Sequence, residues 1–311
     1  MEKIFQNKKT AILIALFCML LWGSAFPVLK ISYQELGIVP SDYMSKIYFA
    51  GLRFFLAGII VIFYGKFITK EKVRFKDLDF KFLLLIGLIQ TTFQYLFYYI
   101  ALGNTTGIKA SILQSASTFM MVLLAHFFFK DDKINRYKLI ALLFGFLGII
   151  VANISKGFDM NFKITGEGFM LISSTLGAIG TIIVKKKGSK MSPIVMTCGQ
   201  MILGSIILLI VGKLGMKGSL NWTPLSIGLL IYSGFISSTA FTLWYFLLKY
   251  NKAGEIAVYR LFIPIMGAML SAIFIPGEGF TVNLISGLIL VVIGIYILNR
   301  GDRPKELVKD E

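Results

Sequence analysis

The sequence is poor in the residues on which soluble-protein chemistry depends. Only 15% of it is charged, with 16 acidic residues against 32 Lys and Arg, one histidine and two cysteines. Charge this sparse, beside 56% hydrophobic residues and a mean hydropathy of +0.78, excludes an ordinary soluble domain. Two cysteines give neither a disulfide framework nor a metal-ligand cluster, and because Cys18 and Cys198 both fall inside apolar runs they read as packing residues. No phosphate-binding loop, no nucleophile with a matching base and no helical pair of metal ligands is present, so neither an enzyme nor a cofactor or metal site is expected. The shortage of acids leaves a formal charge of +16, which in a soluble chain would suggest nucleic acid. Here the basic residues flank apolar runs, so the lipid bilayer is the expected partner and nucleic acid is not.

Apolar runs are what the chain has in abundance. Charge gathers in short clusters such as Lys70 to Lys81, Lys130 to Lys138 and Lys185 to Lys190, separated by stretches that match a bilayer core about 30 Å thick. The expected fold is an all-α polytopic membrane protein with ten spans, at about 10–30, 45–65, 82–102, 107–129, 136–154, 166–185, 193–213, 225–248, 253–276 and 281–299. The first run follows Lys8 and Lys9 as a signal peptide would, but continues through Trp22 to Val28 without a small-x-small cleavage site, so it is expected to stay as a span. On alternate sides of these spans, 23 Lys and Arg lie with the amino terminus and 7 opposite it, leaving Arg53 and Arg260 inside spans. Basic residues are retained on the cytoplasmic side, which predicts both termini there and, with the short loops, a bacterial inner membrane.

An internal repeat emerges when residues 93–153 are laid over 241–299. Tyr98 meets Tyr245, Asn104 meets Asn251 and Gly107 meets Gly254. After a one-residue shift, Gly148-Ile149 meets Gly294-Ile295 and Asn153 meets Asn299. Five spans per half is an odd number, so the second copy enters the membrane from the opposite side. Two inverted repeats are therefore expected, over 1–154 and 155–300, with a cytoplasmic tail at 301–311.

Trp22-Gly23-Ser24-Ala25-Phe26-Pro27 in span 1 resembles the opening of EamA-type members of the drug/metabolite transporter superfamily. Tyr99-Ile100-Ala101-Leu102-Gly103-Asn104-Thr105 at the end of span 3, and Phe262-Ile263-Pro264-Ile265-Met266-Gly267 through Gly277-Glu278 in span 9, are similar to that family's patterns. The resemblance covers nearly the whole chain and implies export of small metabolites or amino acids. The halves depart from each other where Ser117 stands against Pro264, and where Lys130-Asp131 replaces the Gly-Glu ending.

Polar groups inside hydrocarbon are costly, so the few that sit deep in spans are the candidates for function. Arg53 reads as structural. For Arg260, one turn before Pro264, lining a site and anchoring the helix are both open. Gln94, Tyr95 and Tyr98 share one face of span 3, within a run that also holds Gln90, Thr91, Thr92 and Tyr99. Span 8 offers Thr242, Trp244 and Tyr245, beside Ser237, Ser238 and Thr239. Trp22 and Ser24 in span 1, Ser111, Gln114 and Ser115 in span 4, and Tyr259 beside Arg260 complete the candidate substrate-binding set. Asp131, Glu167, Glu255 and Glu278 fall near span ends, and His126 reads as a packed or interfacial residue.

A channel would normally show a charged ring or a filter repeat, and a structural membrane protein would need no inverted repeat with a polar midplane. The expected function is a secondary transporter, monomeric or homodimeric, exporting small metabolites such as amino acids by alternating access. Import or exchange of another small polar solute is the alternative.

Overall fold

The computed structural model describes residues 2–69, 78–105, 107–153, 162–188, 191–277 and 279–301, with the side chains at 69, 107–109, 111 and 301 outside that description. All regular structure among the described residues is helical. The helices are α1 Glu2–Gln6, α2 Lys8–Glu35, α3 Tyr43–Phe63, α4 Phe80–Gly87, α5 Gln94–Asn104, α6 Gly107–Phe128, α7 Arg136–Asn153, α8 Phe169–Lys187, α9 Pro193–Gly215, α10 Pro224–Tyr250, α11 Ala253–Val258, α12 Phe262–Phe274 and α13 Val282–Gly301. Wider π turns extend α3 over Tyr64–Thr69, join α4 to α5 over Leu88–Phe93 and lead into α8 over Ile164–Gly168.

Local sequence explains where these helices start. Asn7 Oδ1 accepts from the Lys9 and Thr10 amides, Asp42 from Ser45 and Asp79 from Phe82, so each satisfies donors that have no partner within the first turn. Pro193 and Pro224 open α9 and α10 behind Ser192 and Thr223, where a missing N–H costs nothing. Between α11 and α12 a 3₁₀ turn over Tyr259–Leu261 breaks the expected span 9, immediately before Pro264, which cannot donate back to the Arg260 carbonyl.

Nine segments among the described residues are long and apolar enough to cross a membrane. They run over Lys8–Glu35, Tyr43–Ile68, Phe80–Asn104, Arg136–Asn153, Ile164–Lys187, Pro193–Gly215, Pro224–Tyr250, Ala253–Phe274 and Val282–Arg300. The expected span 4 corresponds to α6, whose apolar stretch with described side chains, Ile112–Phe128, is shorter than the nine. Large apolar side chains such as Leu13, Phe63, Leu139, Ile210 and Val282 are exposed on the outside of the bundle, a surface that lipid covers and water would not tolerate.

The helices pack in a fixed pattern. α3 lies along α9, α7 along α13, α2 against α10 and α12, and α8 against α5 and α6. Small residues allow the close crossings. A Cβ on Gly148 would sit 2.6 Å from Gly287 O, and one on Gly294 would sit 2.9 Å from Ala141 O. Hydroxyls tie helices together where there is no water: Thr92 Oγ1 donates to Gly204 O, Ser173 Oγ to Gln94 O and Ser174 Oγ to Leu113 O.

Hydrogen bonds also show which helix ends meet. At one end the Tyr250 hydroxyl bonds Glu2, Asn251 Nδ2 donates to Phe5 O, and Lys8 Nζ to Asn299 O. There too, Asp132 pairs with buried Lys138 and accepts from the Gly254 amide at 2.6 Å. At the other end the Asn221 amide donates to Leu36 O, Thr223 Oγ1 to Glu35, Tyr43 to Gly103 O, and Thr105 Oγ1 to Glu167. Successive long helices thus run in alternating directions.

Candidate functional site

A cavity of about 330 Å³ lies within the bundle, at the lower end of the range for ligand sites. Its lining comes from α2, α3, α5, α6, α8, α10, the 3₁₀ turn and α12, together with Gln90 in the π turn.

One wall is aromatic. Trp22 on α2 packs edge to face against Phe241 and Trp244 of α10, with ring centroids 5.3 and 5.5 Å apart. Facing elements carry the tyrosines of α5: Tyr95, Tyr98 and Tyr99 lie within 6.2 Å of one another, and Tyr95 also packs 4.4 Å from Phe54. A second wall holds amides. Gln90 Nε2 donates to Thr181 Oγ1 at 3.3 Å, and Tyr245 bonds both Gln90 and Gln200. A phenol has one proton to give, so the chain is satisfied when Tyr245 donates to Gln90 and the Gln200 amide is turned to donate to Tyr245. Room for Gln94 and Gln90 exists because α8 carries Gly177 and Gly180 opposite them, where a Cβ would sit 3.1 Å from Gln94 and 2.2 Å from Gln90.

The lining is basic. Lys30, Lys46, Arg53 and Arg260 contribute to it, and neither Asp nor Glu does among the described residues. Lys46 Nζ donates to Pro40 O at 2.5 Å. Arg53 is 3% exposed, donates from Nε to Ser237 Oγ at 2.8 Å and lies 5.0 Å from the Phe54 ring. Arg260 differs: among the described residues its Nη1 meets the Met121 thioether at 4.0 Å and its buried Nε has no hydrogen-bond partner.

Of the residues singled out in the sequence, Trp22, Gln94, Tyr95, Tyr98, Gln114, Trp244 and Arg260 meet around this cavity. Others lie elsewhere. Ser24 Oγ donates to Leu21 O and lies 3.2 Å from the Tyr232 hydroxyl. Ser115 Oγ donates back to Ile112 O, and Thr242 Oγ1 is buried outside the lining without a hydrogen-bond partner among the described residues. Tyr245 stands one residue behind the lining, through Gln90. Tyr259 bonds Asn299 and lines a smaller cavity of about 50 Å³ near Lys8 and Asn251. The Ser111 side chain and Glu278 lie outside the described residues.

Sequence reasoning passed over several lining residues. Arg53, read as structural, lines the cavity as well as bonding Ser237. Lys30 and Lys46, counted among the basic residues opposite the amino terminus, reach in from the end of α2 and the start of α3, and Tyr33 of α2 comes with them. Gly177 and Thr181 make α8 a wall; the small-residue spacing of Gly177 and Gly180 was the signal for close approach, but it does not say which helix approaches.

Comparison with known proteins agrees with this architecture. Along 90% of the chain and 95% of the relative, 30% of residues are identical to an uncharacterized transporter of Archaeoglobus fulgidus. Identity is 28% to the uncharacterized transporter YvbV of Bacillus subtilis, over 98% of this chain and 96% of that one. It is 26% to a probable amino-acid metabolite efflux pump of Salmonella typhimurium, over 95% and 97%. A solved crystal structure at 17% identity covers 93% of this chain and 98% of its own with a TM-score of 0.77, which shows a shared fold. The sequence model of the EamA-like transporter family matches residues 9–154 and again 164–300, so the chain, a multi-pass membrane protein, belongs to the EamA-like transporter family.

Proposed function

We propose that the protein is a secondary transporter that exports small metabolites such as amino acids by alternating access. In this reading ten spans form two inverted five-helix repeats, over 1–154 and 155–300, with 301–311 as a tail. Both termini are cytoplasmic at a bacterial inner membrane, and the substrate is held in the central cavity.

The observation that carries the reading is that contacts come in exchanged pairs. In the sequence repeat Gly148 corresponds to Gly294 and Ala141 to Gly287, and the close approaches are Gly148 to Gly287 and Gly294 to Ala141, the same contact with the halves swapped. Contacts of α2 with α10 and α12 are matched by those of α8 with α5 and α6. Even the helix ends agree: Asn104 and Asn251 each donate to the carbonyl four residues back, and so do Asn153 and Asn299. Such a scaffold supports two arrangements of similar energy, in which the halves trade shapes around a fixed site. Trp22, Gln94, Tyr95, Tyr98, Gln114, Trp244 and Arg260 are the proposed substrate contacts.

Counterflow of a panel of amino acids and metabolites in proteoliposomes tests the reading. Saturable exchange is expected, with Gln94→Ala and Tyr98→Ala raising the half-saturating concentration several-fold at unchanged membrane abundance. Ion currents at channel rates without exchange would overturn it.

A further inference from the structure

We propose that the central cavity selects substrates of net negative charge, organic acids whose carboxylate is taken by Arg260 and whose apolar body lies against Trp22 and Trp244. This inference rests on the transporter reading and narrows its cargo.

Arg260 carries the argument. Its guanidinium reaches the cavity from the 3₁₀ turn before Pro264, where neither a carboxylate nor a carbonyl among the described residues takes its donors. A thioether at 4.0 Å is a weak acceptor, and a half-buried guanidinium whose Nε is cut off from solvent is costly in that state until an anion or water satisfies it. The planar guanidinium offers parallel donors that match the two oxygens of a carboxylate. Arg53 is different in kind, since Ser237 already holds its Nε, so it adds positive potential to the same space while being fixed in place.

Charge balance excludes the opposite preference. Arg53 and Arg260 bring two guanidinium groups to the lining, and neither Asp nor Glu lines it among the described residues. An ammonium group would enter a space that already holds these two cations and, among the described residues, would meet no carboxylate in the lining. A zwitterion gains at Arg260 and loses at its amine, whereas an acid without an amine only gains. The aromatic wall at Trp22 and Trp244 supplies apolar contact area for the remainder of the molecule. A cavity of about 330 Å³ limits that remainder to a small group.

The test uses four probes with one phenyl body and different charge: phenylpropanoate, its neutral amide, L-phenylalanine and phenylethylamine. Binding to the purified full chain in lipid nanodiscs is followed by calorimetry, and counterflow is followed in proteoliposomes against protein-free controls. The acid is expected to bind at least tenfold more tightly than the amide, with L-phenylalanine between them and the amine weakest. Arg260→Gln is expected to remove the preference of acid over amide, and Arg260→Lys to restore part of it. Equal binding of acid and amide, tightest binding of the amine, no binding of any probe, or a preference that survives Arg260→Gln in a folded protein would each overturn the proposal. The wild-type series decides the matter even if the variants fail to fold. Tight acid binding without counterflow would retain the charge selectivity and overturn the transporter reading. Counterflow of L-phenylalanine with no preference for the acid would do the reverse.

Discussion

Asp132→Ala is expected to be among the most damaging single changes outside the cavity, and its cost can be worked from three contacts. Asp132 and Lys138 are each 2% exposed and paired, and the second Asp132 oxygen accepts from the Gly254 amide at the start of α11. The fit is tight enough that a Cβ on Gly254 would sit 2.9 Å from Asp132 Oδ1. Removing the carboxylate leaves a buried ammonium that, among the described residues, keeps the Lys133 carbonyl at 3.0 Å, which costs about 3–5 kcal/mol. It also orphans the Gly254 amide, at about 1–3 kcal/mol, and because one group serves both partners the two costs overlap; a total near 4 kcal/mol is expected. The pair Asp132→Asn with Lys138→Met removes both charges but keeps an acceptor for Gly254, and should come within about 1 kcal/mol of the native protein. Unfolding of the purified chain in mixed micelles titrated with SDS, followed by circular dichroism, measures all three. A loss under about 1 kcal/mol for Asp132→Ala, or a double variant as damaged as the single, would refute the reasoning.

The seam between α7 and α13 gives a second prediction. Gly148→Leu forces a side chain into the Gly287 carbonyl and Val291, so overpacking of about 1–3 kcal/mol should lower Tm in detergent, while Gly228→Leu, with nothing within 4 Å, should not. The proposed orientation is checked by reporter fusions after residue 311 in a bacterial host: a fluorescent protein should be bright and alkaline phosphatase inactive, and the opposite pattern would invert the topology.

How much of this was legible in the sequence depended on whether the physics was local. Segment length, apolar runs and caps are local, so the nine apolar segments fell close to their expected places, and Pro264 marked the break in the ninth expected span. Gln94, Tyr95 and Tyr98 were legible as lining because polar and aromatic residues on one face of a span need a cavity or a partner. Thr242 and Tyr259 fitted the same rule and were misleading, because the rule does not separate a cavity from a helix seam. Lys46 was hidden for another reason. Its position near a span end makes it an interfacial flank by sequence, and only the turn of α3 beside α2 brings its ammonium within 5.7 Å of the Tyr33 ring. Gly177 and Thr181 depend on which helix faces α5, a tertiary fact that no single-helix pattern contains.

The placement of the basic residues bears on which way the cavity faces. Lys30, Tyr33, Lys46 and Leu102 come from helix ends opposite the chain termini, so the lining extends from the middle of the bundle toward that end. At the terminal end packing leaves the small cavity beside Tyr259 among the described residues. Phe5 stacks 4.9 Å from Phe246, Lys185 Nζ donates to Leu248 O and Asn251 O, and Asp132 holds Gly254. Under the proposed inversion Gly107 is the counterpart of Gly254. The loop just before it is already held in this conformer, by Thr105 Oγ1 donating to Glu167 at 2.6 Å. Each end thus owns a carboxylate that grips the approach to a helix lining the cavity. Under the proposed alternating access, opening the terminal end would require the buried Asp132 grip to yield. Arg260 stands nearly two turns beyond that grip, on the same segment as Gly254. An anion held by Arg260 as proposed would therefore bear on the same segment that Asp132 restrains at Gly254.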